Sequence, residues 1–146
     1  MKFSKATNYA LHTMLYLVAA PAGKSIGVRP LAEFQNVSPT YLSKILTQLV
    51  KAGLIASTPG VHGGYRLAKS KDAISFLDII QAVEGTASLF ECGPGHDAGF
   101  HEGCLIRSVM ARAEDRMERY LQEQKLIDLV DRVDGHMLEF IRREAQ

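Results

Sequence analysis

Apolar residues recur at helical spacing in four stretches before residue 84 and in a longer one after residue 104. From about 4 to 20 the stripe is Ala6, Tyr9, Ala10, Thr13, Met14, Leu17 and Val18. Ser4 is placed to cap it, and Pro21-Ala22-Gly23 ends it. Val28 to Phe34 spaces out a short second helix between Gly27 and Gln35-Asn36. Ser38-Pro39 opens a third, with serine at the cap and proline at the first helical position, where a missing N–H costs nothing. Its inward face is Leu42, Ile45, Leu46, Leu49 and Val50, and Gly53 stops it in the left-handed position after the helix. A strand, a glycine-rich tip and a return strand follow within residues 53–67. A fourth helix is expected from about Ser75 to Val83, with Phe76, Leu77, Ile79, Ile80 and Val83 facing inward.

The pattern breaks over 85–103, which hold five glycines, Cys92 and two histidines, with Cys104 just beyond the far edge. A loop of that length in a small protein is usually functional. From about Cys104 to Gln124 a long helix resumes with Leu105, Ile106, Val109, Met110, Ala113, Met117, Tyr120 and Leu121 in a heptad-like stripe. That stripe predicts packing against a second copy. The last segment, 125–145, is more weakly amphipathic and is expected to fray at its end.

The order helix, helix, helix, hairpin predicts a mainly α fold: a winged helix-turn-helix with a two-stranded wing and a long C-terminal dimerisation helix. The expected division is 1–84 for the DNA-binding domain, 85–103 for a sensor loop and 104–146 for the dimerisation helix and tail. In such a fold the third helix enters the major groove and the wing rests on the backbone. Charge sharpens the assignment. Residues 1–70 hold eight Lys/Arg and one acid (+7), and residues 71–146 hold nine Lys/Arg and fifteen acids (−6). A basic half joined to an acidic half suits a nucleic-acid grip attached to a control or assembly part. With 47% hydrophobic and 23% charged residues the chain is globular. No apolar run approaches the ~20 residues of a membrane span, and Met1-Lys2-Phe3-Ser4-Lys5 lacks the core of a secretion signal. The expected compartment is the cytoplasm, where paired cysteines more often bind metal or switch redox state than staple a fold.

The candidate DNA contacts are Ser38, Thr40, Tyr41 and Lys44 on the third helix, with Gln48 further along; His62, Gly63 and Gly64 at the wing tip, flanked by Thr58 and Arg66; and Lys2 and Lys5 at the first helix. Short polar and basic side chains near a helix start reach base edges and phosphates, and tip glycines let the backbone approach a duplex. The competing reading is a winged helix that contacts proteins.

The opening Met-Lys-Phe-Ser-Lys-Ala-Thr-Asn-Tyr-Ala-Leu, the segment Ser38-Pro39-Thr40-Tyr41-Leu42-Ser43-Lys44-Ile45-Leu46, the wing Gly60-Val61-His62-Gly63-Gly64-Tyr65 and the stretch Leu77 to Gly85 resemble the IscR/NsrR/CymR (Rrf-two) transcription regulators over roughly residues 1–130. The resemblance implies a homodimer with crossing long helices on a palindromic operator in double-stranded DNA, most often as a repressor. It also implies, for many members, sensing of iron, nitric oxide or redox state through an iron–sulfur cluster in the loop before the long helix.

Cys92 and Cys104 are suitable thiolate ligands, Cys104 at a helix start. Cluster-bearing members of the resembled family show Cys-x5-Cys-x5-Cys; this chain keeps 92 and 104, but Ala98 takes the middle position, and Arg107 stands where some members have a histidine. Two cysteines leave a [2Fe–2S] cluster two ligands short. The resemblance points to His12 of the partner chain, and next to Asn8, four residues before it on the same helix face. Asn8 is neutral and a poor iron ligand. His96, His101 and Glu102 in the loop are substitutes. Open alternatives are a thiol–disulfide switch between Cys92 and Cys104, zinc on the two cysteines with His96 or His101, or a cofactor-free regulator controlled by a protein partner. Catalysis is not expected, for no Cys-x-x-Cys, phosphate loop or Gly-x-Ser-x-Gly occurs.

Overall fold

The structure, a computed structural model, describes residues 2–91 and 104–146. Helix α1 (Lys5–Ala19) is followed by α2 (Val28–Phe34), α3 (Pro39–Lys51), strands β1 (Ile55–Thr58) and β2 (Gly64–Leu67), and α4 (Phe76–Glu84). Beyond residues 92–103 come α5 (Leu105–Glu123), a 3-10 helix (Leu126–Arg132) and α6 (Gly135–Glu144).

The helix starts carry the signals read from the sequence. Ser4 Oγ accepts from Thr7 N (3.3 Å) and Ser38 Oγ from Tyr41 N (3.1 Å). At the start of α4 the structure adds a signal the sequence reading did not name: Ser75 and Asp78 form a reciprocal capping box, each side chain accepting from the other's backbone N–H. Gly53 lies at φ +77 beyond α3, in the left-handed region. The strands pair antiparallel, with Ile55 opposite Leu67 and Thr58 opposite Gly64.

One core holds these parts together. Met14, Leu17 and Val18 of α1, Leu31 of α2, Leu42, Leu46 and Leu49 of α3, and Ile79 of α4 are buried in it. The chain's last segment joins the same core. Leu126, Phe140 and Ile141 are buried, and Phe140 stacks on Phe34 with ring centroids 4.1 Å apart. Tyr16 meets both rings edge-on, at 5.3 and 5.8 Å. The fraying expected for 125–145 is therefore not observed. The segment is held because Met137, Phe140 and Ile141 fall on one side of α6 and pack on the core, while Leu126 anchors the stretch before it. Asp134 caps α6, accepting from Met137 N at 2.8 Å.

Candidate nucleic-acid interface and sensor segment

The outer face of α3 is polar and carries no acid. Thr40, Lys44, Thr47, Gln48 and Lys51 are all exposed, while Leu42, Ile45, Leu46 and Leu49 are buried on the other side. Ser38 spends its hydroxyl on the cap, and Tyr41 is half turned out, its ring edge-on to Tyr9 of α1 at 5.9 Å. Lys2 and Lys5 are exposed at the start of α1. Thr47 and Lys51 share the face of Thr40 and Lys44; their spacing made them legible, but the sequence reading named only Gln48 beyond the first turns of the helix.

The wing is less free than a two-stranded hairpin suggests. Ile26 forms a bridge to Tyr65, through Ile26 N to Tyr65 O (3.0 Å) and Tyr65 N to Ile26 O (2.8 Å). A Cβ on Gly64, which has φ +146, would lie 2.5 Å from the Ile26 carbonyl oxygen, and one on Gly63 would lie 2.0 Å from that of Thr58. Both glycines thus have an internal reason: they let the wing close on itself and on residue 26. Thr58, His62 and Arg66 are exposed, and Val61 at the tip is 94% exposed. A second tether comes from the far end of the sequence. Ser25 and Gln146 exchange two backbone hydrogen bonds of 2.9 Å, and His62 Nδ1 lies 3.0 Å from Gln146 Oε1. No local signal announces this tie, because its partners are separated by more than eighty residues.

Helix α5 divides its apolar arc. At about 100° per residue, Leu105, Ile106, Val109 and Tyr120 share one half. All four are well exposed (62–82%). Met110, Met117 and Leu121 share the adjoining half and are partly covered, in a helix that packs against α4. Only part of the predicted stripe is therefore open to a second copy; the remainder is used within the chain. Glu114, on the covered side, accepts from Leu89 N (3.0 Å) and Ser88 Oγ (2.9 Å). Cys104 caps α5, its sulfur accepting from Arg107 N at 3.5 Å.

Cys92, His96, Ala98, His101 and Glu102 lie outside the described residues. His12 and Asn8 are both exposed on α1. His12 Nδ1 is 2.8 Å from the Asn8 carbonyl oxygen. A carbonyl only accepts, so Nδ1 is the donor in this bond, and in the neutral ring the lone pair is on Nε2. Beside His12 runs a shallow apolar groove lined by Leu11, Leu15, Phe76, Leu126 and Leu129.

The profile of the iron-dependent transcriptional regulators named Rrf2 matches residues 3–132, nearly the whole chain. The chain belongs to the Rrf2 family. Among its relatives, the "Putative HTH-type transcriptional regulator YwgB" of Bacillus subtilis is 35% identical over 136 residues, 91% of this chain and 86% of that protein. The HTH-type transcriptional regulator NsrR of Halalkalibacterium halodurans is 31% identical over 137 residues, 92% of this chain and 93% of its own. The solved structure of CymR, described as the global cysteine regulator of B. subtilis, superposes with a TM-score of 0.76 at 29% identity, covering 92% of this chain and 99% of CymR. This Rrf2 protein is accordingly a DNA-binding transcription regulator of the winged helix-turn-helix type and not an enzyme. Among the described residues no helix is long and apolar enough to cross a membrane.

Proposed function

We propose that this Rrf2 protein works as a homodimer, joined through the outward half of α5, that represses transcription from a palindromic operator. Each copy presents α3 to the major groove through Thr40, Lys44 and neighbouring side chains, and its wing (Thr58, His62, Arg66) to the backbone. Lys2 and Lys5 add phosphate contacts. The observation that carries this reading is the contrast on one chain between an acid-free polar helix face and an uncovered apolar one. Two half-sites one helical turn of DNA apart, about 34 Å, need two rigidly spaced recognition helices. Sedimentation of the protein with and without a palindromic duplex tests it. A monomer that binds half-sites independently overturns it.

Control acts, in this proposal, through the loop between Phe90 and Cys104. Both ends of that loop are anchored on α5: its start through Glu114, its end through the Cys104 cap. The anchors are ten residues apart, about 15 Å along the helix axis. A change in the loop thus alters how α5 leaves the body, and with it the spacing of the two recognition helices.

Cys92, Cys104 and the partner subunit's His12 would hold a [2Fe–2S] cluster. His12 fits, because an imidazole that donates Nδ1–H to a backbone carbonyl presents Nε2 in the tautomer and orientation metals take. Asn8 does not fit, being a neutral amide, so the fourth donor falls to His96, His101 or Glu102. When bound, the cluster supplies a one-electron redox centre, and an imidazole ligand raises its potential relative to an all-cysteine site. A second reading, a thiol–disulfide switch of Cys92 and Cys104, is favoured by the backbone N–H groups of the α5 start, which favour an anionic sulfur. Anaerobic purification with an absorption spectrum and iron and sulfide assays separates the two. Visible bands with about two irons and two sulfides per site support the cluster. A colourless protein after reconstitution removes it.

A further inference from the structure

Between α4, α5 and residues 87–89 lies a cavity of about 190 Å³. Its walls are Leu77 and Ile80 of α4 and Met117 and Leu121 of α5, and Phe3 and Leu89 form its lip. Three carboxylates, Glu84, Glu114 and Glu118, border it against one ammonium, Lys2. The C-terminal end of α4, the negative pole of that helix, borders it as well. Two of the carboxylates already have work. Glu84 Oε1 accepts from Ser4 N (2.8 Å), Ser4 Oγ (2.5 Å) and Thr7 Oγ1 (2.6 Å), and these bonds hold its carboxyl below the usual range. Glu114 holds the loop start. Glu118 is half-buried on the same side of α5, one turn beyond Glu114, and belongs to no ion pair among the described residues.

We propose that this cavity is an effector site for a small amphipathic cation, with an apolar body between α4 and α5 and an ammonium or amidinium head on Glu118. Size limits the ligand: an apolar cavity of about 150 Å³ takes up benzene, so the body is about one ring. Charge selects its sign, since an anion would meet three carboxylates and a neutral molecule would leave Glu118 without a counter-ion. Position gives the ligand leverage. It touches α4 of the DNA-binding body, the dimerisation helix and the segment entering the cysteine loop, so it stabilises one arrangement of the three.

Benzylamine is the probe, titrated calorimetrically into the full-length protein, with benzyl alcohol and benzoate as controls. The expected result is one saturable site per chain with benzylamine at least about tenfold tighter than benzyl alcohol, and no binding of benzoate. Glu118→Gln should erase the preference while leaving benzyl alcohol affinity unchanged, a readout that a merely structural role for Glu118 would not move. Leu77→Trp should fill the cavity and remove both ligands. Equal binding of amine and alcohol, no binding at all, or equal loss of the preference in the remote Glu139→Gln overturns the proposal. So does an affinity that falls as protein concentration drives self-association, because the cavity would then be covered by the second copy. Binding is read without DNA, iron or thiol chemistry, so its failure is distinct from failure of the regulatory reading.

Discussion

Helices α3 and α5 are both amphipathic, yet the fold treats them in opposite ways. On α3 the apolar side chains are consumed: Leu42, Leu46 and Leu49 have no exposed surface, and what faces outward is hydroxyl, amide and ammonium. On α5 no residue is fully buried, and Leu105, Ile106 and Val109 stand in solvent. A finished helix offers polar groups to a polar partner. An unfinished one has apolar area whose burial is still to be gained, at about 25 cal/mol per Å². The difference keeps the polar face offered to DNA apart from the uncovered apolar face through which the proposed dimer would join, so the two surfaces do not compete.

The contrast can be broken most severely from the inside of α3. Leu46→Ala should cost about 3 kcal/mol of folding stability, the usual range for a fully buried leucine, read by chemical denaturation. The matched Ile106→Ala on α5 should change the stability of the monomer by no more than about 0.5 kcal/mol. If the two cost the same, the faces are not opposites. Next in size, the double change Ile106→Asp, Val109→Asp should weaken self-association about a hundredfold while circular dichroism stays native. A dimer that survives it is joined elsewhere. Lys44→Glu should lower operator affinity about tenfold to a hundredfold and flatten its salt dependence, measured by fluorescence anisotropy at several salt concentrations. Oligomeric state should not change.

The smallest effect concerns the tie between α1 and α4. Glu84 has its carboxyl lowered chiefly by the Ser4 hydroxyl, then by Thr7 and the Ser4 backbone. A lowered folded value means its contribution is present above the unfolded carboxylate range and fades as pH falls through the folded value. Because the group is exposed, Glu84→Gln should cost only about 0.5 kcal/mol near neutral pH. The cost should vanish in acid, below both values. A pH-independent loss would mean that the contact is steric.

How far the sequence could be read depends on whether the cause was local. Ser4 and Ser38 announce helix starts because capping involves residues three apart. The polar face of α3 follows from period and composition for the same reason. The wing was visible as strand, glycines, strand, but the role of its glycines was not. A turn motif does not say that Ile26 will approach within a Cβ's reach of Gly64. The stripe on α5 was also visible, though not its division between α4 and open solvent. Thr47 and Lys51 were within reach of the same periodicity that found Lys44. Gln146 beside His62 was not, for nothing local in either residue encodes the other.

By itself the amino-acid sequence determined the helix order, the capped starts of α1 and α3, the basic first half, the winged hairpin and the two cysteines that bracket a glycine-rich stretch of sequence. These depend on propensity, periodicity and charge, which act over a few residues. Only the tertiary structure decided which half of α5 is spent on α4, that Phe140 closes an aromatic cluster with Phe34 and Tyr16, and that the wing is tied to both Ile26 and the final residues. It also decided that Glu84, Glu114 and Glu118 surround one apolar cavity. Such contacts arise when distant segments compete for the same core, and packing, rather than any local pattern, selects which of them meet.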